Sequence, residues 1–293
     1  MNPDVLYILG AGRSGSTVFA AVLSDHKDIQ NTGELHHFFS YLKNNEYCSC
    51  GNKFEDCEIW GRVKVMLPEE LNKNADTYEV LSNRMEYHSA IPRYLLKKIP
   101  AKDFEKYKKA QINILNAIYD GESRYILDSA KYIGRFLALR RICKRKMKGI
   151  FLVRDVRGVI WSFRKKVQTQ STPLRTIIYY LLINLVGQIV IWTSPKGQVL
   201  KVRYEDLTDQ PAETLQRIGK FLEIDFSLTI KKIQNQKPVK IAHLIGGNRL
   251  KKNPEITLGK DVEWVEGMSR LQKTGYYLVA LPLMIINGYK MLK

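Results

Sequence analysis

Short apolar runs alternate along the chain with segments in which apolar residues recur at helical spacing. The runs with a strand-like pattern are 5–9, 125–127, 149–153 and 198–202. Apolar positions three and four residues apart, the spacing of one helix face, occur in 17–23, 104–119, 132–142, 155–167 and 211–221. Strands that alternate with helices predict an α/β fold of three layers, with helices on both faces of a central parallel sheet.

The length of the sequence and its even composition predict the domain organisation. The sequence contains no internal repeat, low-complexity tract or linker, and 293 residues are enough for one large α/β domain. We therefore expect a single domain over 1–293, with a cysteine-containing insertion near 45–61 and an apolar helical tail over 267–293. Pro282 within this tail predicts a kinked or early-ending helix.

The longest apolar stretch, 177–192, is interrupted by Asn184 and Gln188. As a helix its sixteen residues would measure about 24 Å, which is short of the roughly 30 Å of a bilayer core. We expect a buried core helix there, with a monotopic membrane contact as the alternative. Residues 1–4 are too short and too acidic for a signal peptide, so the expected location is cytoplasmic, with membrane association left open. A luminal domain cut from a longer Golgi protein would have the same pattern.

Glycine and hydroxyl residues follow the first apolar run, in Gly10-Ala-Gly-Arg-Ser-Gly-Ser-Thr17, and a helical segment begins directly after them. Glycines allow a tight turn in which successive backbone N–H groups point at one anion, and the N-terminus of the next helix adds partial positive charge. The candidate anion ligands are Gly12, Arg13, Ser14, Gly15, Ser16 and Thr17. The alternative is a plain turn between a strand and a helix.

This loop differs from the P-loop of ATP- and GTP-binding enzymes at one position. Their pattern ends in Gly-Lys-Ser/Thr, and Ser16 stands here where that lysine would be. The cation of the loop is instead Arg13. A kinase without the lysine would lose its main contact with the β- and γ-phosphates. The loop therefore favours a donor whose 5′-phosphate carries one further anionic group.

The loop resembles the 5′-phosphosulfate loop of the sulfotransferases that use 3′-phosphoadenosine-5′-phosphosulfate (PAPS), whose fold is P-loop-like. Its arginine form is more similar to the Golgi carbohydrate, tyrosylprotein and bacterial branches than to the cytosolic aryl branch. The resemblance implies transfer of the sulfuryl group of PAPS, the co-substrate, to an acceptor hydroxyl, with no metal required.

A second block, 151–162, is similar to the motif that binds the 3′-phosphate of PAPS in this family. There an arginine at the end of a strand and a serine eight residues later hold the phosphate, and the matching residues here are Arg154 and Ser162. A guanidinium fork with a hydroxyl two helical turns away makes a suitable phosphate clamp. Taken alone, an Arg-Asp pair at a strand end could also be a structural ion pair.

Weaker matches extend the resemblance over residues 5–265. The segment 125–131 is similar to the strand end that delivers a lysine, here Lys131, to the sulfuryl group. Tyr204 matches the tyrosine that helps to enclose the adenosine, although it could equally be a core residue. The last match, to the loop that closes over the 3′-phosphate, consists of Gly246, Gly247, Asn248, Arg249, Lys260 and Trp264, of which Lys260 could simply be solvated.

The resemblance also suggests the catalytic groups. Arg13 would stabilise the leaving phosphate and the bridging oxygen, and Lys131 the sulfuryl oxygens. Glu34 falls where the second strand should end, on the sheet edge that carries the phosphate loop, and the tyrosylprotein branch has its catalytic glutamate in a similarly placed Gly-Glu. We expect Glu34 to take the proton of the acceptor hydroxyl, with His36 and His37 as rival bases.

Three of the four cysteines, Cys48, Cys50 and Cys57, lie in one short segment, which also resembles an insertion in some bacterial sulfotransferases. A structural loop, or a disulfide from Cys57 to Cys48 or Cys50, is the expected arrangement. Zinc held by these cysteines with His36 or His37 is the alternative, although the spacing matches no common zinc site. The predicted site therefore contains no metal.

The formal net charge of +18 indicates an anionic partner. Basic residues are dense in 135–148, 164–166 and 251–252, which on helices are usually a solvated face. They would suit an anionic saccharide, an acidic peptide or a lipid-linked sugar at a membrane surface, and we favour a carbohydrate or glycolipid hydroxyl as the acceptor. The rival functions are a P-loop kinase or other NTP-dependent enzyme and a non-catalytic module that binds polyanions or membranes. Nucleic acid is not expected, because aromatic residues are not interleaved with the basic runs.

Overall fold

A parallel sheet forms the centre of the computed structural model, which describes residues 4–164, 171–241, 243–247, 253–260 and 262–291. The strands are β1 (Asp4–Gly10), β2 (Ile29–Gly33), β3 (Tyr125–Lys131), β4 (Met147–Val153), β5 (Val199–Arg203), β6 (Val239–Lys240) and β7 (Glu255–Ile256). The first five make one sheet in the order β2-β3-β1-β4-β5, and every neighbouring pair in it is parallel. The predicted α/β fold with a central parallel sheet is confirmed.

Helices make up the outer layers. Those in the described part of the chain are α1 (Ser16–Leu23), α2 (Phe38–Asn44), α3 (Glu58–Met66), α4 (Glu69–Lys73), α5 (Ala75–Glu86), α6 (Ile91–Leu95), α7 (Ala101–Ile118), α8 (Ile133–Cys143), α9 (Val156–Arg164), α10 (Pro173–Thr193), α11 (Tyr204–Asp209), α12 (Pro211–Leu222), α13 (Ser227–Gln234), α14 (Glu263–Gly267), α15 (Arg270–Val279) and α16 (Leu281–Ile286). Short 3-10 turns lie at Leu35–His37, His88–Ala90 and Lys144–Lys146.

The burial of the central strand β1 explains why its sequence has no polar position in the middle. Successive side chains of a strand point to opposite faces of the sheet. Val5, Tyr7 and Leu9 pack into the core under α7, α8 and α10, whereas Leu6 and Ile8 pack into the core under α1 and α12. All five side chains are fully buried. A continuous apolar run is therefore what a strand covered on both faces requires.

Helix α10 is longer than the helix expected for the apolar stretch 177–192. It begins at Pro173, and its 21 residues are about 32 Å long. Among the described residues it is the one helix that is long and apolar enough to cross a membrane, while 44% of its apolar window is buried inside the protein. Asn184 and Gln188 are on the buried side, where Gln188 Nε2 donates to Asn287 Oδ1 over 2.8 Å. The polar residues that interrupt the stretch are therefore packing contacts.

The C-terminal segment is fastened to α9 by a buried arginine. Helices α15 and α16 meet at Ala280, just before Pro282. Arg157 of α9 is fully buried and pairs with Asp155 over 2.6 Å. The same guanidinium donates to the carbonyl oxygens of Lys290 and Met291, at 3.0 and 2.8 Å. Arg157 is thus a structural residue of the block 151–162.

Candidate active site

A cavity of about 510 Å³ opens at the carboxyl edge of the sheet, a size in the range of small-molecule sites. Its lining comes from the loop after β1, the ends of β2 and β3, α9 and the 243–247 segment, and consists of Gly12, Arg13, Gly15, Ser16, Thr17, Glu34, His36, His37, Lys131, Tyr132, Phe163 and Gly247. The carboxyl ends of parallel strands lie at one edge, so residues far apart in sequence meet there. The predicted phosphate loop, base and lysine thus share one cavity.

The loop between β1 and α1 has the geometry of an anion cradle. Gly15 is the N-cap of α1, and the cap position together with the first helical residues, Ser16 and Thr17, lines the cavity. The amide groups at this helix start and the partial positive charge of the helix therefore favour an anion there. Ser14 Oγ is buried and has no hydrogen-bond partner among the described residues. A bound anion would satisfy that hydroxyl.

Two contacts from distant elements hold the loop in shape. Gly12 N donates to the Tyr179 hydroxyl of α10 over 2.8 Å. Arg154 Nη1 donates to the Arg13 carbonyl oxygen over 2.5 Å, and the Arg13 guanidinium lies over the Phe163 ring, 5.8 Å from its centre. Tyr179 was not predicted as a site residue, since nothing in its apolar helix marks a contact 167 residues away in sequence.

The close approach of Tyr204 to the loop makes Gly15 hard to replace. Gly15 has φ +85°, and a Cβ there would overlap the Tyr204 ring. We expect Gly15→Ala to lower the free energy of unfolding by about 1–2 kcal/mol from the left-handed backbone alone, and by more from the displaced ring. Gly197→Ala is a matched control, because Gly197 has φ +76° but open space around the missing Cβ. Equal losses in urea unfolding of the two variants would contradict the tight contact.

Arg154 leaves the end of β4 and runs along α9. It is buried, its guanidinium carbon lies 5.0 Å from the centre of the Tyr204 ring, and a Cβ at Gly158 would lie 3.0 Å from Arg154 Nε. Gly158 and Ser162 are four residues apart, so both are on one face of α9. The structure therefore brings Arg154 to the helix face that carries Ser162. Asp155 of this block pairs with Arg157.

Glu34 and Lys131 form an ion pair inside the cavity. Glu34 directly follows β2 and Lys131 is the last residue of β3, and Lys131 Nζ donates to Glu34 Oε1. Their side chains are only 11% and 19% exposed, so the pair is largely shielded from water. Glu34 N donates to the carbonyl oxygen of Ile245 over 2.8 Å, which fixes the backbone of the glutamate.

The two rival bases lie beside Glu34. His36 Nε2 is 4.0 Å from Glu34 Oε2, and the rings of His36 and His37 are 3.8 Å apart. Burial, followed by the effects of His37 and Lys131, holds the pKa of His36 well below its usual range, so His36 is neutral at physiological pH. Ligand atoms of Glu34, His36 and His37 lie within 4.8 Å of one another and could hold a metal ion. The Lys131 ammonium already occupies the carboxylate, which favours the ion pair over a cation there.

A buried ion triad behind the cavity was missed at the sequence level. Arg135, which the charge pattern assigns to a basic surface run, is 1% exposed and donates from Nε to Asp128 Oδ2 over 2.6 Å. It also pairs with the buried Glu86. Asp128 Oδ1 accepts hydrogen bonds from Leu35 N and Ala130 N, at 3.3 and 3.0 Å. The triad therefore ties the turn after β2 to the end of β3, the two places that carry the ion pair.

The buried His88 beside the cavity should make the free energy of unfolding depend on pH. His88 packs against Tyr132, a cavity residue, with ring centres 5.0 Å apart, and burial lowers the pKa of His88 to about 4. The unfolded chain takes up a proton at this histidine near pH 6.5, whereas the folded chain does so only near pH 4. The free energy of unfolding should fall as the pH is lowered across this window, by up to about 1.4 kcal/mol per pH unit for this group.

This dependence is measured by urea unfolding between pH 7 and pH 4. His88→Gln should flatten the slope in that window, because glutamine does not titrate. Identical slopes for wild type and His88→Gln would contradict the assignment.

The remaining predicted contacts are placed less directly. Tyr204 is buried at the start of α11 against the phosphate loop, and Trp264 is buried against Arg157 and Gly158. Lys260 is exposed. Asn248 and Arg249 lie outside the described residues. The adenosine and 3′-phosphate contacts of these residues remain predictions.

Of the two arrangements expected for the cysteine segment, the structure shows a loop without a disulfide. All four cysteines belong to the described residues and are free thiols, so neither disulfide from Cys57 is present. The histidine beside Cys48, Cys50 and Cys57 is His243, not His36 or His37, which lie in the cavity.

Comparison with known proteins identifies the class. A family model described as "Sulfotransferase family" matches residues 4–227, a span that contains Arg13, Glu34, Lys131, Arg154 and Ser162. The chain therefore belongs to the sulfotransferase family and is a PAPS-dependent sulfotransferase. Membership favours this activity over the kinase-like and non-catalytic alternatives.

Solved structures of low sequence identity share the fold. The sulfotransferase domain from the curacin biosynthetic pathway is 19% identical, with 98% of each chain covered and a TM-score of 0.55. The sulfotransferase domain of the Synechococcus PCC 7002 olefin synthase is also 19% identical, with 99% of this chain and 96% of that chain covered and a TM-score of 0.57. A sulfotransferase from Mycobacterium avium, STF9, is 11% identical, with 99% and 78% covered and a TM-score of 0.51. No curated protein sequence matches the chain.

Proposed function

We propose that Glu34 is the general base, that Lys131 and Arg13 stabilise the charge that develops during transfer, and that the acceptor is a sugar hydroxyl. The observation that carries this assignment is the Glu34–Lys131 ion pair, which lies in the same cavity as the phosphate loop. A base, a mobile cation and an anion cradle are the groups that an in-line transfer to a hydroxyl needs.

The loop 10–17 suits the 5′-phosphosulfate of PAPS. The unpartnered Ser14 hydroxyl, the amides at the start of α1 and the Arg13 side chain would supply donors to it. Arg154 and Ser162 would hold the 3′-phosphate from the adjoining face of α9. Tyr204, between Gly15 and Arg154, would then stand between the two phosphate positions.

The ion pair suggests how the base becomes available. In the structure described here Lys131 neutralises Glu34. A sulfuryl group bound at the loop offers Lys131 other oxygens, and a turn of the ammonium towards them would release the carboxylate for the acceptor hydroxyl. His36, held neutral by burial, can donate or accept a hydrogen bond beside Glu34 without adding charge.

These groups account for the bond formed, the bond broken and the proton lost in the transfer step. The bond between the acceptor oxygen and sulfur forms as the bond from sulfur to the leaving adenosine 3′,5′-bisphosphate breaks, and the hydroxyl proton passes to Glu34. Negative charge grows on the bridging oxygen, where Arg13 would stabilise it, while Lys131 would contact the sulfuryl oxygens.

The surface favours a sugar presented by a lipid. Exposed apolar side chains run along one face of α10, at Leu174, Ile178, Leu182, Leu185 and Trp192. Their spacing places them in one stripe of the helix, and the net charge of +18 would attract an anionic membrane surface. The N-terminal half of the same helix contacts the phosphate loop through Tyr179. The stripe would therefore bring the cavity close to glycolipid headgroups.

An acceptor screen with radiolabelled PAPS tests this proposal. We expect label in glycolipids held in anionic vesicles and in soluble saccharides of the same headgroup, with the glycolipid turned over faster. The double variant Ile178→Glu/Leu182→Glu should lose only the advantage of the glycolipid. Transfer to phenols or tyrosyl peptides but to no saccharide would overturn the acceptor class without affecting the sulfotransferase assignment.

A further inference from the structure

A second group of reactive side chains lies outside the cavity. Cys48, Cys50, Cys57 and His243 each offer one potential ligand atom, and these four atoms all lie within 4.8 Å of one another. In a tetrahedral zinc site with zinc–sulfur distances of about 2.3 Å, neighbouring sulfurs are about 3.8 Å apart. The cluster is therefore close to the size of a four-ligand zinc site.

The backbone forms a tight turn that presents two of the thiols. Cys48 N donates to the Asn52 carbonyl oxygen over 2.9 Å, and Gly51 N donates to the Cys48 carbonyl oxygen over 3.1 Å. Gly51 has φ +89°, a left-handed conformation that glycine adopts without strain. Tyr47 and Lys53 pair as an antiparallel bridge across the turn. Cys48 and Cys50 consequently lie on one tight hairpin.

The third thiol and the imidazole come from elsewhere in the chain. Cys57 is the residue before α3, and its Sγ lies 3.2 Å from His243 Nδ1 although 186 residues separate them in sequence. Cys48 and Cys57 are buried, His243 is partly exposed and Cys50 is exposed. The cluster therefore has one side open to solvent, through which an ion could enter.

Hydrogen bonds hold the backbone of the histidine segment beside the cysteine segment. Trp60 Nε1 donates to the His243 carbonyl oxygen over 3.0 Å. Leu244 N donates to Ser49 Oγ over 2.7 Å, and Ser49 N donates to the Leu244 carbonyl oxygen over 3.1 Å. These bonds come from residues close to the cysteines in sequence and fix the backbone of His243 and Leu244 against the cysteine segment.

We propose that Cys48, Cys50, Cys57 and His243 bind one zinc ion in a structural site. Three thiolates and one imidazole form a closed tetrahedral ligand set, and soft sulfur ligands of this kind select zinc over magnesium or calcium. A disulfide would use two of the thiols and leave the third, with the histidine, without a function. The site lies apart from the cavity and does not depend on the proposed catalytic roles.

The ion would fix one wall of the active site. The segment after His243 pairs with the end of β2, since Ile245 N donates to the Thr32 carbonyl oxygen over 3.1 Å and Glu34 N donates to Ile245. Gly247, two residues further on, lines the cavity. Zinc would therefore join the cysteine segment to the backbone that positions Glu34.

Metal analysis of the purified full-length protein tests the proposal. Elemental mass spectrometry should find about one zinc per chain, as expected for one closed four-ligand site. Cys50→Ser and His243→Ala should lose most of this zinc, while Cys143→Ser and Glu34→Gln should keep it. The Cys143 control tests a thiol outside the cluster, and the Glu34 control tests the ligand trio of the cavity. Cobalt added to metal-stripped protein should give the charge-transfer absorption of thiolate ligands, and Cys50→Ser should weaken it.

Removal of the ion should also be visible in stability. A chelator should lower the midpoint of thermal unfolding of wild type and have no effect on Cys50→Ser, since binding to the folded state adds to its stability. The proposal would be overturned if protein expressed with added zinc contained no zinc and all of its thiols reacted with a thiol reagent. A mass lower by two hydrogens and restored by a reductant would overturn it in favour of a disulfide.

Discussion

Glu34→Gln is expected to lower kcat for sulfuryl transfer by about 10²–10⁴-fold, the usual contribution of a general base. The amide keeps the size of the side chain but cannot accept the hydroxyl proton. Affinity for adenosine 3′,5′-bisphosphate should change little, because the assigned phosphate contacts come from the loop 10–17, Arg154 and Ser162. The measurement is steady-state transfer from PAPS, with bisphosphate binding measured in parallel.

The ion pair calls for a control, because Glu34 could act only by holding Lys131 in place. Lys131→Gln removes that partner. If Glu34 is the base, Glu34→Gln should still reduce kcat strongly in the Lys131→Gln background and should abolish the acidic limb of the pH–rate profile. If Glu34 only positions Lys131, adding Glu34→Gln to Lys131→Gln should not lower kcat any further. Near-normal turnover of Glu34→Gln would transfer the role to His37 or His36.

Arg135→Met is expected to lower the free energy of unfolding by about 3–5 kcal/mol, because it leaves two buried carboxylates without their cation. Burial already raises the pKa of Glu86 to about 7, against the opposing effect of Arg135. Without the guanidinium, Glu86 would bind a proton still more readily in the folded state than in the unfolded chain. The loss should therefore be larger at pH 8 than at pH 5.

Urea unfolding at the two pH values measures this effect. Arg141→Met is a matched control on the same helix, since Arg141 is exposed and its guanidinium carbon lies 4.6 Å from the centre of the Phe104 ring. That substitution should change stability by about 1 kcal/mol or less. Equal losses for the two variants would show that the triad adds nothing to the core.

Parallel-strand topology explains why part of the site could be predicted. Arg13 and Lys131 come shortly after the apolar runs 5–9 and 125–127, and Glu34 was expected where the second strand ends. The carboxyl ends of neighbouring parallel strands meet at one edge. Their convergence in one cavity therefore follows from the strand pattern and the family resemblance. The start of α1 after the glycine loop is predicted for the same reason, within one residue.

Contacts made through tertiary packing could not be predicted. Arg135 lies in a run of basic residues and its sequence gives no sign that it points inward to Asp128 and Glu86. Tyr179 reaches the phosphate loop from a helix whose apolar pattern reports only its own buried face. The meeting of His243 with the cysteines depends on how a late segment returns to β2, which no local periodicity records. The helices α2–α6 were not predicted either, and four of them are only five to nine residues long.

Thermal unfolding with adenosine 3′,5′-bisphosphate, beside AMP and ATP at one ionic strength, is the most direct test of the proposed donor site. The bisphosphate should stabilise the protein selectively, by about 2.7 kcal/mol at a hundredfold excess over its Kd, because it alone would engage both the loop and the proposed Arg154 clamp. Arg154→Met should reduce the stabilisation by the bisphosphate to the level of that by AMP. Equal shifts for the three nucleotides, or none, would contradict the two-clamp site.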